Sequence, residues 1–198
     1  MNNFENPQSN PHAIDLRALD GGKYIFPSKA CGTDIHNLPL DNTTLPVSFS
    51  KLPQGYFRLN GVLEDIQAGL VISGFLYNTE AKINHMTVDQ QLKEYVKEQT
   101  KQRVSDVALA ELEKQLQNNG IKTVYAVFYS PRTTDFFIRN GYTISTIDLL
   151  SENTKINLGM NPTGFDKTIL DQGLFENMKQ TNPEGTRHVL LVKHLELV

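Results

Sequence analysis

From Asp89 to Asn119 the chain carries neither glycine nor proline, and this unbroken block constrains the fold more than any other feature. Good helix formers fill it, so it reads as helix. Its apolar face comes in two parts. Leu92, Tyr95 and Val96 mark the first. Val104, Ala108, Leu112 and Leu116 recur every four residues and mark the second, with Val107 and Leu109 beside them. Between lies KEQTKQR, Lys97 to Arg103, which has no apolar face to bury. Two readings stay open. One helix runs straight through as a solvated stretch, carrying pairs such as Glu94–Lys97 and Glu98–Lys101. Alternatively, a non-helical segment or a ligand interrupts it.

Strands flank this block. Tyr56–Leu63 reads as one, and Gln67–Tyr77, rich in Val, Ile, Leu and Phe, as a buried one. Lys82–Val88 alternates, which puts Ile83, His85 and Thr87 on one face and Met86 and Val88 on the other. Asn78-Thr79-Glu80 joins the last two as a hairpin. Gly120 follows the long block as a left-handed cap. Ile121–Tyr129 is a strand. Ser130 or Thr133 then caps a short helix with Pro131 in its first turn, which stops at Gly141. Tyr142–Leu149 reads as a strand, and Ser151–Gly185 as a polar insertion. Within it an amphipathic helix spans Asp166 to Gln180, with Leu170, Leu174 and Met178 every four residues. His188–Val198 closes the pattern as a strand. The alternation predicts a mixed α/β layer fold.

In Ala13–Ser50 the segments LRAL, KYIF and LPVSFS each read as a short strand or a turn of helix, punctuated by Gly21-Gly22, Pro27, Gly32, Pro39 and Pro46, with no clear assignment. Residues 1–12, rich in Asn, Pro and Ser, read as a flexible arm, and 13–198 as a single domain. The net charge of -3 argues against a nucleic-acid partner. One cysteine, Cys31, excludes an internal disulfide, and no run of apolar residues is long enough for a membrane span. The N-terminus lacks the pattern of a secretory signal, so the expected location is cytoplasmic.

Arg103 to Gly120, RVSDVALAELEKQLQNNG, resembles the helix of GNAT-type N-acyltransferases that begins G-x-G-S-x-L-L and ends in glycine. The strand IKTVYAVF follows directly, and TTDFFIRNGY resembles the family's A-x-x-F-Y-x-K-x-G-F. The spacing from Arg103 to Tyr142 matches without a gap, and the resemblance extends back to Gln67. It implies a GNAT-like α/β fold, a mixed twisted sheet flanked by helices. It also implies acetyl-CoA or another acyl-CoA as cofactor, with an amine, on a small molecule or a protein, as acceptor. A homodimer is left open.

The family's phosphate loop is R/Q-x-x-G-x-G/A, in which glycines let backbone N–H groups reach a pyrophosphate at a helix start. Here those positions are Thr100, Lys101, Gln102, Arg103, Val104 and Ser105, with neither glycine, and Asp106 follows. Either Lys97, Lys101 and Arg103 supply side-chain cations instead, or a continuous helix removes the site. By resemblance, backbone amides near Met86 and Val88 polarise the acyl carbonyl in the splay between two parallel strands. Direct attack by the amine needs a base and an acid. His85 is the first candidate base, since a histidine's ordinary pKa lies near neutrality; Asp89 is the second. The family's leaving-group acid is a tyrosine, but Phe137 stands there. Tyr129 is the stand-in, and Ser130 replaces the asparagine that often opens the helix. The five histidines show no metal-ligand spacing. The function expected is therefore a divergent acyl-CoA-dependent N-acyltransferase. The alternative is a non-catalytic GNAT-like domain that binds a protein or small molecule.

Overall fold

The computed structural model describes residues 34–40, 43–52, 55–63, 66–128, 130–158, 172–181 and 188–195. Expectations for residues 1–33, for Tyr129 and for most of the 159–187 stretch lie outside them.

Five strands open the described chain: β1 (Asp34–Leu40), β2 (Thr43–Lys51), β3 (Tyr56–Leu63), β4 (Ala68–Tyr77) and β5 (Glu80–Val88). Helices α1 (Gln90–Gln99) and α2 (Val104–Asn118) follow, then β6 (Thr123–Phe128), α3 (Pro131–Arg139) and β7 (Thr143–Ile144). A 3-10 turn (Ile147–Leu149), α4 (Glu152–Asn157), α5 (Gln172–Thr181) and β8 (Val189–His194) complete the order. The strands form one eight-stranded sheet in the order β1-β2-β3-β4-β5-β6-β8-β7. All neighbours are antiparallel except β5 and β6, which are parallel. A parallel pair needs a crossover, and here α1 and α2 supply it.

Alternation splits the sheet into two faces. Phe49, Leu59, Ile72 and Met86 stand opposite one another on one face, where the main core lies with Leu92, Val96, Ala108, Leu109, Leu112 and Leu116 from the two helices. Fully burying such a side chain stabilises the fold by about 1.5–3 kcal/mol, so the two helices are held mainly by this face. A smaller cluster of Tyr125, Ile147, Leu158, Leu190 and Val192 occupies the second face over β6 and β8.

The long block is two helices, and the reason lies in its period. Positions spaced by four drift about 40° per repeat round a helix of 3.6 residues per turn. Leu92, Val96, Thr100, Val104, Ala108, Leu112 and Leu116 are all buried. One straight helix cannot turn all of them toward one sheet. Thr100 makes the break: it is extended (φ -144, ψ 165), and its Oγ1 accepts from the Gln102 N–H at 3.0 Å. A side-chain hydroxyl that bonds nearby backbone competes with the helix in this way.

The two glycine stops hold as expected. Gly120 has φ +79 and Gly141 φ +86. In each the residue beyond the glycine reaches back five positions, Ile121 N–H to Leu116 O at 3.1 Å and Tyr142 N–H to Phe137 O at 3.1 Å. The Phe137 and Tyr142 rings then meet edge to face at 4.9 Å.

Three expectations are corrected. The strand Tyr142–Leu149 is only Thr143–Ile144, because Ile147 turns into the second cluster while Leu149 is 79% exposed. Among the described side chains of α5 the buried one is Phe175, whereas Leu174, expected in the apolar stripe, is 55% exposed; Leu170 and the Met178 side chain lie outside the description. In β5 the simple alternation fails. Ser73 pairs with His85 but Gly74 with Ile83, so Asn84 is an extra, bulged residue. The bulge puts Ile83 on the core face with Met86 and Val88, and leaves His85 and Thr87 exposed on the other.

Candidate functional site

The pair β5–β6 is bonded only from Glu80↔Thr123 to Ile83↔Ala126. Beyond that, β5 continues to Val88 and β6 to Phe128 without pairing to each other, so the strands splay. The Asp89 N–H bonds the Gly69 carbonyl at 2.9 Å. Backbone groups alternate from edge to edge along a strand. The N–H groups of Thr87 and His85 therefore also point toward β4, and those of Met86 and Val88 point into the splay. Both side chains pack on the main core, leaving the backbone of the two residues to line the gap.

Gly74 sets the bulge that starts this geometry. A Cβ there would lie 1.8 Å from the Lys82 carbonyl oxygen and 2.8 Å from the Phe57 ring, so only glycine lets β5 approach so closely.

The break at Thr100–Arg103 leaves the first turn of α2 open. Arg103 is its cap, extended at φ -99 and ψ 114, with no side-chain capping bond. Its carbonyl accepts from the Asp106 and Val107 N–H groups at 2.9 and 3.2 Å. No hydrogen bond among the described residues engages the Val104 or Ser105 N–H. These are the orphan donors a helix start offers, with the positive end of the dipole behind them. Val104's side chain is buried and anchors the turn, while Lys101, Gln102 and Arg103 are exposed. Lys97, Lys101 and Arg103 make no ion pair among the described residues. Asp106 is not a bare charge. Its Oδ1 accepts from Arg139 at 2.9 Å and from Asn140 Nδ2 at 3.0 Å, both at the end of α3.

His85 is exposed on the second face, and its Nε2 lies 2.8 Å from Thr87 Oγ1. Asp89 is committed elsewhere: Oδ2 accepts from the Gly69 N–H at 2.8 Å, which holds the start of β4. Ser130 caps α3, accepting from the Thr133 N–H at 3.2 Å. Phe137 is fully buried, stacked on Phe128 at 4.6 Å and edge to face with Phe136 at 5.0 Å. Tyr129 lies outside the described residues. The structure thus groups Met86 and Val88 at the splay beside His85, and Lys101 to Ser105 at the α2 start, while Asp89, Ser130 and Phe137 hold structural positions.

Sequence reasoning missed a second polar group. Glu80 accepts from Tyr125 OH at 3.1 Å and from Thr154 Oγ1 at 3.0 Å, which ties α4 to the sheet. Lys82 Nζ donates to the Leu158 carbonyl at 2.7 Å, and burial lowers the Lys82 pKa. The signal was present in Glu80 and Lys82 alternating on one face, but their partners are far along the chain. Among the described residues no group of His, Cys, Asp or Glu is arranged to hold a metal ion, and no helix is long and apolar enough to cross a membrane.

No protein-family model matches the chain, and no curated protein matches it. Solved structures of similar fold exist. The ribosomal-protein-S18-alanine N-acetyltransferase from Escherichia coli superposes at a TM-score of 0.46 with 12% identity, over 74% of this chain and 74% of that one. An acetyltransferase from Bacillus subtilis in complex with CoA gives 0.45 and 11%, over 73% and 80%. Nourseothricin acetyltransferase gives 0.43 and 9%, over 83% and 85%. Likenesses this distant carry no argument about activity. The chain's own sheet order, with one parallel pair splayed beyond a bulge and bridged by two helices, is a mixed α/β sheet flanked by helices, the class of fold that the resemblance in the sequence implies.

Proposed function

We propose that the chain is an acyl-CoA-dependent N-acyltransferase that has lost the glycines of its phosphate loop but kept the site they served. The observation that carries this reading is the splay after Ile83 and Ala126, with the Met86 and Val88 backbone turned into it. A gap between parallel strands exposes backbone donors that a sheet would otherwise pair, and such donors suit the oxygen of a thioester carbonyl.

In this reading the pyrophosphate lies on the Val104 and Ser105 N–H groups, with Lys101 and Arg103 beside it. Lysine and arginine replace contacts that glycine amides make elsewhere, so the anion is held by charge more than by close backbone approach. The pantetheine arm runs into the splay. The acceptor amine attacks the carbonyl carbon directly; the C–N bond forms and the C–S bond breaks. His85 takes the amine proton. For that its Nε2–H donates to Thr87 Oγ1, which leaves the Nδ1 lone pair free. Phe137 cannot protonate the departing thiolate, so that proton comes from solvent.

Enclosure of Phe137 among Phe128, Phe136 and Tyr142 favours a second reading, a GNAT-like domain that binds through the same cleft without turnover. One pair of measurements separates them. Thermal melting with millimolar acetyl-CoA should rise by mass action, by about 2.7 kcal/mol of stabilisation at a hundredfold excess over Kd. Release of thiol in the presence of amines then reports transfer. A melting shift with no thiol release supports the binding domain; no shift with acetyl-CoA, CoA or longer acyl-CoA removes the enzyme reading.

A further inference from the structure

Four lysines among the described residues are partly buried, Lys82, Lys155, Lys179 and Lys193. Three of them hold a carboxylate: Lys155 that of Glu152, Lys179 that of Asp135 and Lys193 that of Glu113. Lys82 differs. Its Nζ donates to the Leu158 carbonyl at 2.7 Å, a neutral group, and it makes no ion pair among the described residues. Glu80, two residues back on the same strand, accepts from Tyr125 and Thr154 instead. A lysine ordinarily keeps its charge in water or beside an acid. Burial without an acid favours the neutral amine, and burial is what lowers the Lys82 pKa.

The place of this amine matters as much as its state. Lys82 pairs with Tyr125, and Ile83↔Ala126 is the last pair before the splay. Ile83 lies in the main core, so Lys82 lies on the second face, as His85 does. Leu158 belongs to the cluster over β6 and β8. To reach its carbonyl the Lys82 side chain leans from β5 toward β6, across the line along which the two strands part. Helix α4 follows the same line. Thr154 bonds Glu80, and the Leu158 carbonyl, four residues on, meets Lys82, two residues on. Four helix residues rise about 6 Å and two strand residues about 6.6 Å, so α4 runs beside β5 toward the splay and the amine stands at its end. From Lys82 to Met86 the strand covers about 10–13 Å. A flexible four-carbon stem spans about half of that, so the amine, released from Leu158, reaches the closed end of the splay, where the Met86 N–H would hold an acyl carbonyl.

We propose that Lys82 is a self-acylation site, which takes the acyl group from an acyl-CoA held in the splay of its own chain. This rests on the acyl-CoA reading and adds a second, internal acceptor to it. The neutral Nζ attacks the thioester carbonyl carbon; the C–N bond forms and the C–S bond breaks. One amine proton goes to His85, and the thiolate leaves and is protonated by solvent. The product is an amide that keeps one N–H for the Leu158 carbonyl and carries no charge, so each chain reacts once. An acceptor fixed beside the donor acts at a high effective concentration. That suits a chain whose Phe137 cannot assist the leaving group.

The test incubates the full chain with acetyl-CoA and follows acetylation of each lysine by peptide mass spectrometry. A second sample is treated with acetic anhydride, which needs no binding site and ranks the lysines by exposure. With acetyl-CoA, Lys82 should be acetylated at least about tenfold faster than the exposed Lys93, Lys114 and Lys122. The rate should saturate with acetyl-CoA and stay constant as the chain is diluted. The anhydride should give the opposite order, with the exposed lysines first. Three results overturn the self-acylation site: labelling by acetyl-CoA in the order of exposure, a Lys82 rate that rises with chain concentration, or an unlabelled Lys82 in a chain whose melting acetyl-CoA does raise. A chain whose melting shifts with no acyl-CoA overturns the reading beneath it, and self-acylation with it, which is a different result.

Discussion

Under the acyl-CoA reading, Asp106 is the residue that sets how well the α2 start receives an anion. A carboxylate in a first turn favours the helix but repels a phosphate. Arg139 and Asn140 draw its Oδ1 toward α3 instead. The pair is partly exposed, 45% and 29%, so by itself it contributes no more than about 1 kcal/mol to stability. Its effect on affinity should be of the same order. Arg139→Met should weaken CoA binding about 2–5-fold, from the 0.3–1 kcal/mol a helix-end charge carries. Asp106→Asn should tighten it, and in that background Arg139→Met should do little. Calorimetric titration of the four proteins measures this; additive effects would show that the two side chains act independently. Gly74 makes a prediction about the fold. Gly74→Ala must push the Lys82 carbonyl aside, at a cost of about 1–3 kcal/mol, read as a lower urea midpoint at unchanged slope. Near-neutral behaviour would mean that the bulge does not depend on this glycine. Phe137→Tyr should not install a leaving-group acid, because the ring is enclosed. It should lose about 1–3 kcal/mol for a buried hydroxyl without a partner, with no gain in thiol release. At this scale the sequence showed which residue types had been lost, but not what the replacements do. Asp106 read as a hindrance because Arg139 lies a helix and a strand away.

Elements carry the next level. The hairpin β4–β5, the apolar faces of α1 and α2, the cap on α3 and both glycine stops were legible, since each depends on neighbours within a few residues. The break at Thr100 was left open by composition alone. It follows from the drift of a four-residue stripe, combined with a sheet that must be met twice. The bulge at Asn84 was not legible, because it is defined by β4. The tie between β5 and α4 is another such long-range element, and it should show in pH. Tyr125 is pushed up to about 12, by burial first and then by the charge and hydrogen bond of Glu80. The folded chain keeps this proton where the unfolded one, near pH 10, has lost it. The contribution is therefore complete below about pH 10 and is lost as pH rises from there to about 12. Tyr125→Phe should cost about 1.5–3 kcal/mol at pH 8, the range for a hydrogen bond to a charged group. The gap from wild type should narrow by pH 11. Tyr142, raised mainly by burial, keeps its own alkaline loss in both proteins. A gap of constant size from pH 8 to 11 would contradict the assignment.

At the scale of the whole molecule, one sheet presents two different surfaces. One face is a continuous apolar core under α1 and α2. The other is divided into a small apolar patch over β6–β8 and a polar strip over β2–β5 that ends at His85. The mixed α/β class was readable from the order of elements. The strand β1 was not, and β2 was read only as LPVSFS, a short strand or a turn of helix, because Pro39 and Pro46 break the pattern, although both residues sit on strands toward one edge of the sheet. The splay and the open helix start belong to no single segment; they exist only when the sheet is assembled. They make the central claim, that a glycine-free loop still holds an acyl-CoA. The most direct test is a titration of the isotope-labelled chain with CoA, followed by backbone amide shifts. Saturable shifts at Val104, Ser105, Met86 and Val88 are expected. Saturable shifts that leave those four amides unmoved, or no shifts at millimolar CoA, would contradict it.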